Sequence, residues 1–457
     1  MNEYQKMTTL SIPKLITLLA IPTVISMLIT SLYNMADTYF VTNISDSASA
    51  AVTVILSLQT LIQTIGFTIG MGCGSMISRS LGNHNEENAS TYLSSSMFIG
   101  LVLGILFLLF GLIFNYQIVG LLGASETSRE LAKDYAFWIF LASPFMILSF
   151  IMNNSIRSEG KAKLSMIGIS IGAIINIGLD PLFIRVFNMG VSGAGLATMI
   201  SQIISFFVLL SFILFKRTTS RLSYKYVSKD IKIYLDCFKC GSPTVFRQGF
   251  STIANISFNF LAKPYGDSVV AAIGICNKVY TLIRSMVIGV GQGYQPVLGF
   301  NYGAKKYKRI KKAFFFTMSI QTVICLIATL FILIIPNQII SLFGGSENIY
   351  EIGSVAIRFI AIGLPVLGFS TIVNQSLQVT GYSISSSFLA SLRQGLVYIP
   401  LIFTLERLFS EKGIMVTQAT SDIITAIITI PFLFYFFNIL KKKEELLIKE
   451  DKINIDS

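Results

Sequence analysis

Runs of about twenty apolar residues recur along this chain from Leu15 to Leu440, and each is long enough to cross the roughly 30 Å hydrocarbon core of a bilayer as a helix. Clear cases are residues 97–114, 200–215, 313–335 and 423–437. In lipid every backbone N–H and C=O needs a partner within the protein, which leaves helices or closed barrels as spanning structures. Runs of this length select helices. With 53% hydrophobic against 13% charged residues and a mean hydropathy of +0.70, water cannot be the main solvent. The pattern predicts an all-α membrane protein with about twelve crossings. The first run follows Lys14 directly and carries Pro22, Asn34 and Asp37 without a small-residue cleavage site, so it is expected to be a transmembrane helix and not a cleaved leader.

The chain also repeats itself. Displaced by 221 positions without a gap, Pro22-Thr23-Val24 falls on Pro243-Thr244-Val245, Asn34 on Asn255, Thr60-Leu61-Ile62 on Thr281-Leu282-Ile283, and Gly70, Gly72 and Gly82 on Gly291, Gly293 and Gly303. The register holds through Pro144, Asn153 and Gly160, which meet Pro365, Asn374 and Gly381. A repeat of six crossings returns to the same membrane side, so the halves are parallel and related by an axis along the membrane normal. The expected organisation is a six-helix lobe over residues 1–215, a basic linker over 216–240, a second six-helix lobe over 241–440 and a charged tail over 441–457. One chain then holds both lobes, and a monomer suffices for alternating access between them.

Basic residues cluster in 216–239, in 305–312 and after Lys441. By the positive-inside rule these segments and both termini are cytoplasmic. The net charge of +12 is therefore a topology signal, and short juxtamembrane loops without a folded basic domain argue against nucleic-acid binding.

An acid at the centre of a transmembrane helix costs roughly 2.5–3.5 kcal/mol on insertion scales, so such residues face cavities and serve a function. Three qualify: Asp37 deep in the first crossing, Asp180 late in the fifth, and Asp422 in the twelfth, where no partner is legible. Asn176 and Asp180 are four apart and share a helical face, and Thr198 lies at similar depth in the next crossing. Two carboxylates, an amide and a hydroxyl suit a small hard cation, and they suit shared protons equally, because close carboxylates raise each other's pKa. Either way, ion and proton compete for the same oxygens. The second half carries basic residues instead of acids in its helices, among them Arg247, Lys278, Arg284, Arg358 and Arg393; Arg247 and its neighbour Gln248 are the preferred candidates for substrate contact. Pro22 removes a backbone donor and can bend its helix, either as a moving part linked to Asp37 or as a static kink.

Other patterns reduce to packing. Cys237-Phe238-Lys239-Cys240 has half the spacing of a metal site but no second pair, and His84 is the sole histidine. Gly70-Met71-Gly72-Cys73-Gly74 lies within a crossing, where small residues let helices approach. The sequence contains no phosphate-binding loop, no His-Glu-x-x-His and no serine elbow, so neither ATP coupling nor enzymatic chemistry is expected.

The twelve-crossing plan, Pro22, the Asn34-Met35-Ala36-Asp37-Thr38 segment, Arg157-Ser158-Glu159-Gly160 and Asn176-Ile177-Gly178-Leu179-Asp180-Pro181 together resemble the multidrug and toxic compound extrusion family. Gly241-Ser242-Pro243 and Gly293-Tyr294-Gln295-Pro296 make the second half look most like a bacterial branch of that family. The resemblance implies a V-shaped pair of lobes in the bacterial inner membrane, exporting amphipathic, mostly cationic compounds in exchange for H⁺ or Na⁺ without a bound cofactor. It assigns Asp37, Asn176, Asp180 and Thr198 to the cation site, with no other metal, and Tyr135 to its hydrogen-bonding network. It also makes Asp422 comparable to an acid in the twelfth helix of this branch. The seventh crossing departs from some branches, since Arg247-Gln248-Gly249-Phe250-Ser251 contains no carboxylate, which places coupling in the first lobe. Two other functions stay open: a flippase for a lipid-linked precursor of a related superfamily, whose phosphates the basic residues would suit, and a structural or receptor role.

Overall fold

The computed structural model describes residues 2–42, 45–343 and 347–456; the side chains of residues 35–39, 41, 42, 46, 267 and 450–456 lie outside that description. Fifteen helices make up the described regular structure: α1 (Glu3–Thr9), α2 (Ile12–Thr42), α3 (Asp46–Gly82), α4 (Glu86–Leu121), α5 (Glu126–Ser158), α6 (Ala162–Pro181), α7 (Gly190–Leu214), α8 (Ile231–Ala262), α9 (Asp267–Gly303), α10 (Tyr307–Ile334), α11 (Pro336–Ser341), α12 (Glu347–Thr380), α13 (Ser383–Ser391), α14 (Tyr398–Phe409) and α15 (Glu411–Asp456). Short π turns follow α6 at Leu182–Val186 and join α13 to α14 at Leu392–Leu396. Among the described residues eleven helices are long and apolar enough to cross a membrane. The remaining expected crossing, the seventh, is α8, whose 32 residues supply ample length at about 1.5 Å per residue. Lys232, Asp236, Lys239, Arg247 and Gln248 dilute its hydropathy.

Helix boundaries keep the sequence repeat. Asp46–Gly82 recurs as Asp267–Gly303, and the starts at Glu86, Glu126 and Ala162 recur at Tyr307, Glu347 and Ser383. The cap residues are part of that repeat: Gly160 and Gly381 both take positive φ, 86° and 92°, a conformation glycine reaches without the Cβ penalty.

Two compact units result, one comprising Met1–Val24 with Ser242–Ser457, the other Ile25–Gly241. Their limits differ from the lobes drawn on the sequence. The chain passes from the first unit to the second within α2, two residues after Pro22, and back within α8, one residue before Ser242 and two before Pro243. The linker segment before α8 belongs to the Ile25–Gly241 unit.

That unit is organised around α5, from Tyr135 to Ser158 almost wholly buried. Glycines 66, 70 and 74 of α3 bring it against α5 so closely that a Cβ at Gly70 would sit 2.8 Å from the Phe150 carbonyl oxygen. The spacing of four residues puts these glycines on one face. Gly72, on another face, abuts the Cys237 carbonyl of α8, so the glycine run serves helix contact as expected. The linker is strapped to the same unit. Glu159 accepts the backbone N–H groups of Thr219 and Ser220 at 2.6 and 2.9 Å, while Ser90, Ser94 and Ser95 on α4 accept those of Arg221, Ser223 and Ser228 at 2.9, 3.2 and 3.0 Å.

The other unit is centred on α12. Its core includes Ile283 and Val287 of α9, Cys325 of α10, Ile357 and Leu364 of α12, and Ile402 of α14. The N-terminal segment is integral to it: the Asn301 amide donates to the Met7 carbonyl at 3.1 Å, Arg309 to that of Leu10 at 2.8 Å, and the Thr23 hydroxyl lies 2.7 Å from the Gly289 carbonyl.

Candidate functional site

Asn176 and Asp180 stand one turn apart on α6, immediately before Pro181 and the π turn that ends the helix. Proline and π turns disturb the i to i−4 ladder, which is where a buried polar group finds room. Asn176, Asp180 and Thr198 are all fully buried. In the orientation that satisfies both ends of its amide, Asn176 donates to Asp180 Oδ2 at 3.0 Å and accepts from the Thr198 backbone N–H at 3.3 Å. The Thr198 hydroxyl lies 3.4 Å from the same amide. Tyr135, also fully buried, packs its ring on Gly195, where a Cβ would stand 2.8 Å away; Gly195 is three residues before Thr198 on the same face of α7. Asn176, Asp180 and Thr198 thus meet at one place within the Ile25–Gly241 unit, with Tyr135 packed on α7 one turn away. Asp37 has its backbone in α2, and its side chain lies outside the described residues. Pro22 is buried within an uninterrupted α2.

The other unit holds a second polar cluster. Asp422 on α15 accepts from the Tyr280 hydroxyl at 2.8 Å and from the Gln418 amide at 3.1 Å. Arg393, on the π turn between α13 and α14, donates to the Tyr280 oxygen at 2.6 Å and lies 3.9 Å from Asp422 Oδ1. The acid that had no partner in the sequence therefore has three. One was visible in principle, because Gln418 and Asp422 are four apart on one helix; Tyr280 and Arg393 come from distant crossings. Arg247 lines a cavity beside this cluster together with Arg284 and Arg393. Gln248 is not among the residues that line it.

Repeated bundles of membrane-spanning helices, each holding charged side chains in an apolar interior, are the architecture of a polytopic membrane transporter. The chain belongs to the MatE family, whose model matches residues 22–182 and again 243–404, the two starts lying at the 221-residue displacement seen in the sequence. It is similar to the multidrug export protein MepA of Staphylococcus aureus strain MSSA476, at 27% identity across 87% of this chain and 88% of the relative. The MepA of Staphylococcus saprophyticus is 27% identical over 89% and 90%. Among solved structures, a MATE transporter in complex with MaL6 superposes with a TM-score of 0.91 at 23% identity, covering 97% of this chain and 100% of that one. An outward-facing multidrug resistance MATE transporter gives 0.91 at 23%, covering 97% and 99%. The all-helical fold expected from the sequence is that of these structures.

Proposed function

We propose that this protein exports amphipathic, mostly cationic compounds across the bacterial cell membrane by antiport with H⁺ or Na⁺, with both termini in the cytoplasm and one chain sufficient for transport. The observation that carries this reading is the buried Asp180, Asn176 and Thr198 cluster, an acid in an apolar helix bundle hydrogen-bonded to an amide that also engages Thr198. Coupling needs a carboxylate that alternately holds and releases a cation. A proton can load Asp180 with the Asn176 amide as it stands. A sodium ion would require that amide to turn its oxygen toward the carboxylate, because hard cations take oxygen ligands. The sequence supplies Asp37 as the candidate second carboxylate, a side chain outside the described residues.

The test is dye efflux from reconstituted vesicles under an imposed pH gradient or an imposed Na⁺ gradient, applied separately. One gradient should drive accumulation of a cationic dye, and Asp180→Asn or Asp37→Asn should abolish that drive while the protein still inserts. Full gradient-driven efflux by both variants would remove the proposed coupling site.

A further inference from the structure

Arg247 of α8, Arg284 of α9 and Arg393 of the π turn line one cavity of about 50 Å³ inside the unit formed by Met1–Val24 and Ser242–Ser457. Among the described residues no carboxylate lines it. Asp422 lies behind its wall, against Arg393 and Tyr280, so three guanidinium charges face a single acid. Among the described residues no hydrogen bond or ion pair engages Arg247 or Arg284, and Arg284 Nε is buried without an acceptor. Two more buried donors lacking partners belong to lining residues, the hydroxyls of Ser370 and Thr425. Buried donors without acceptors are costly. Three such donors in the lining, with Arg247 and Arg284 holding no hydrogen-bonded counterion among the described residues, mark a site shaped for a ligand that accepts hydrogen bonds.

We propose that this cavity is an anion site that takes a phosphate or phosphoryl group. The chemistry selects that class over a carboxylate. Guanidinium forks bind phosphate oxygens in bidentate fashion, and the surplus of two positive charges matches the charge of about −1.5 to −2 on a phosphate monoester near neutral pH. The volume holds a headgroup-sized anion, since a single water needs only about 10–15 Å³ measured in this way. Arg393 sits on a π turn, a local widening of the helix found at functional sites, and its hydrogen bond to Tyr280 fixes the guanidinium. Nothing in this site is used by the coupling cluster on α6 and α7, and the proposal goes beyond the export of cations.

The phosphate is either free in water or part of a lipid headgroup, and two arms of one experiment separate these sources. In the first, purified protein in a neutral detergent is titrated with inorganic phosphate by calorimetry, with chloride as the control anion. In the second, it is reconstituted in phosphatidylcholine nanodiscs containing a minor fraction of phosphatidic acid, and retained lipid is counted by native mass spectrometry. Saturable binding in either arm is expected, weakened at least tenfold in Arg284→Gln and Arg247→Gln, with part of the affinity kept by Arg284→Lys, which preserves charge without the fork. Thr425→Val supplies a milder variant should an arginine replacement fail to fold. A site filled by water alone gives no saturable binding in either arm, and that result, or binding by both glutamine variants equal to the parent, overturns the proposal. The readout is binding and not transport, so its failure leaves the export reading standing, and a failed efflux assay leaves this site untouched.

Discussion

Within each unit, a polar cluster and a close helix contact each rest on single residues. Asp422 is held by a tyrosine, an amide and an arginine, all in a low-dielectric interior, where removing one partner of a buried ion pair costs about 3–5 kcal/mol through the charge left behind. Asp422→Ala is therefore expected to lower thermal stability by that order in an unfolding assay, whereas a loss below about 1 kcal/mol would mean that Arg393 finds another counterion. Glycine positions give a contrasting pair. A Cβ at Gly72 would overlap the Cys237 carbonyl, while one at Gly178 meets nothing within 4 Å. Gly72→Ala should destabilise by about 1–3 kcal/mol, and Gly178→Ala should be neutral or stabilising by up to about 1 kcal/mol. Equal effects of the two would contradict the α3–α8 packing.

At the scale of elements, the linker is a docked strand of chain and not a free tether. Its anchor is Glu159, just beyond α5, buried and hydrogen-bonded to two backbone N–H groups with Lys161 at 3.5 Å. Burial pushes its carboxyl above the ordinary glutamate range, against the opposing pull of Lys161 and the two N–H donors. A raised native value means that the folded protein holds this proton more tightly than the unfolded chain. Its contribution is thus complete below the unfolded glutamate value, about 4.3, and is lost as pH rises through the native one. Thermal unfolding followed from about pH 4 to pH 7 should show part of this decline, and Glu159→Gln, which cannot ionise, should flatten it; an unchanged slope would dismiss Glu159 as its source. The serines 90, 94 and 95 that continue the strap lie on α4 at spacings of four and five, and the run Ser94-Ser95-Ser96 was the trace of it in the sequence.

For the whole molecule, the division within α2 and α8 has a direct consequence. The unit built on α12 includes Met1–Val24, with α1 and the start of α2 bonded to Asn301, Arg309 and Gly289. A fragment of residues 242–457 expressed alone lacks that piece and should fail to give a monodisperse peak in size-exclusion chromatography, whereas co-expression with residues 1–241 should restore one. A well-folded isolated fragment would refute the shared boundary. The sequence by itself determined the solvent, the helical class, the repeat and its register, because hydropathy and a 221-residue displacement are written along the chain in order. It also fixed the pairing of Asn176 with Asp180, since a helix face is a local property. The same displacement also shows that the two halves carry different polar residues on one scaffold. Asp180, Thr198 and Tyr135 fall on Leu401, Ala419 and Ala356 of the repeat, while Arg393 and Asp422 fall back on Gly172 and Ser201. Only tertiary packing brought Tyr280, Arg284, Arg393 and Asp422 together from three separate crossings, because contacts between helices depend on which faces meet, and that is decided by the fit of the whole bundle.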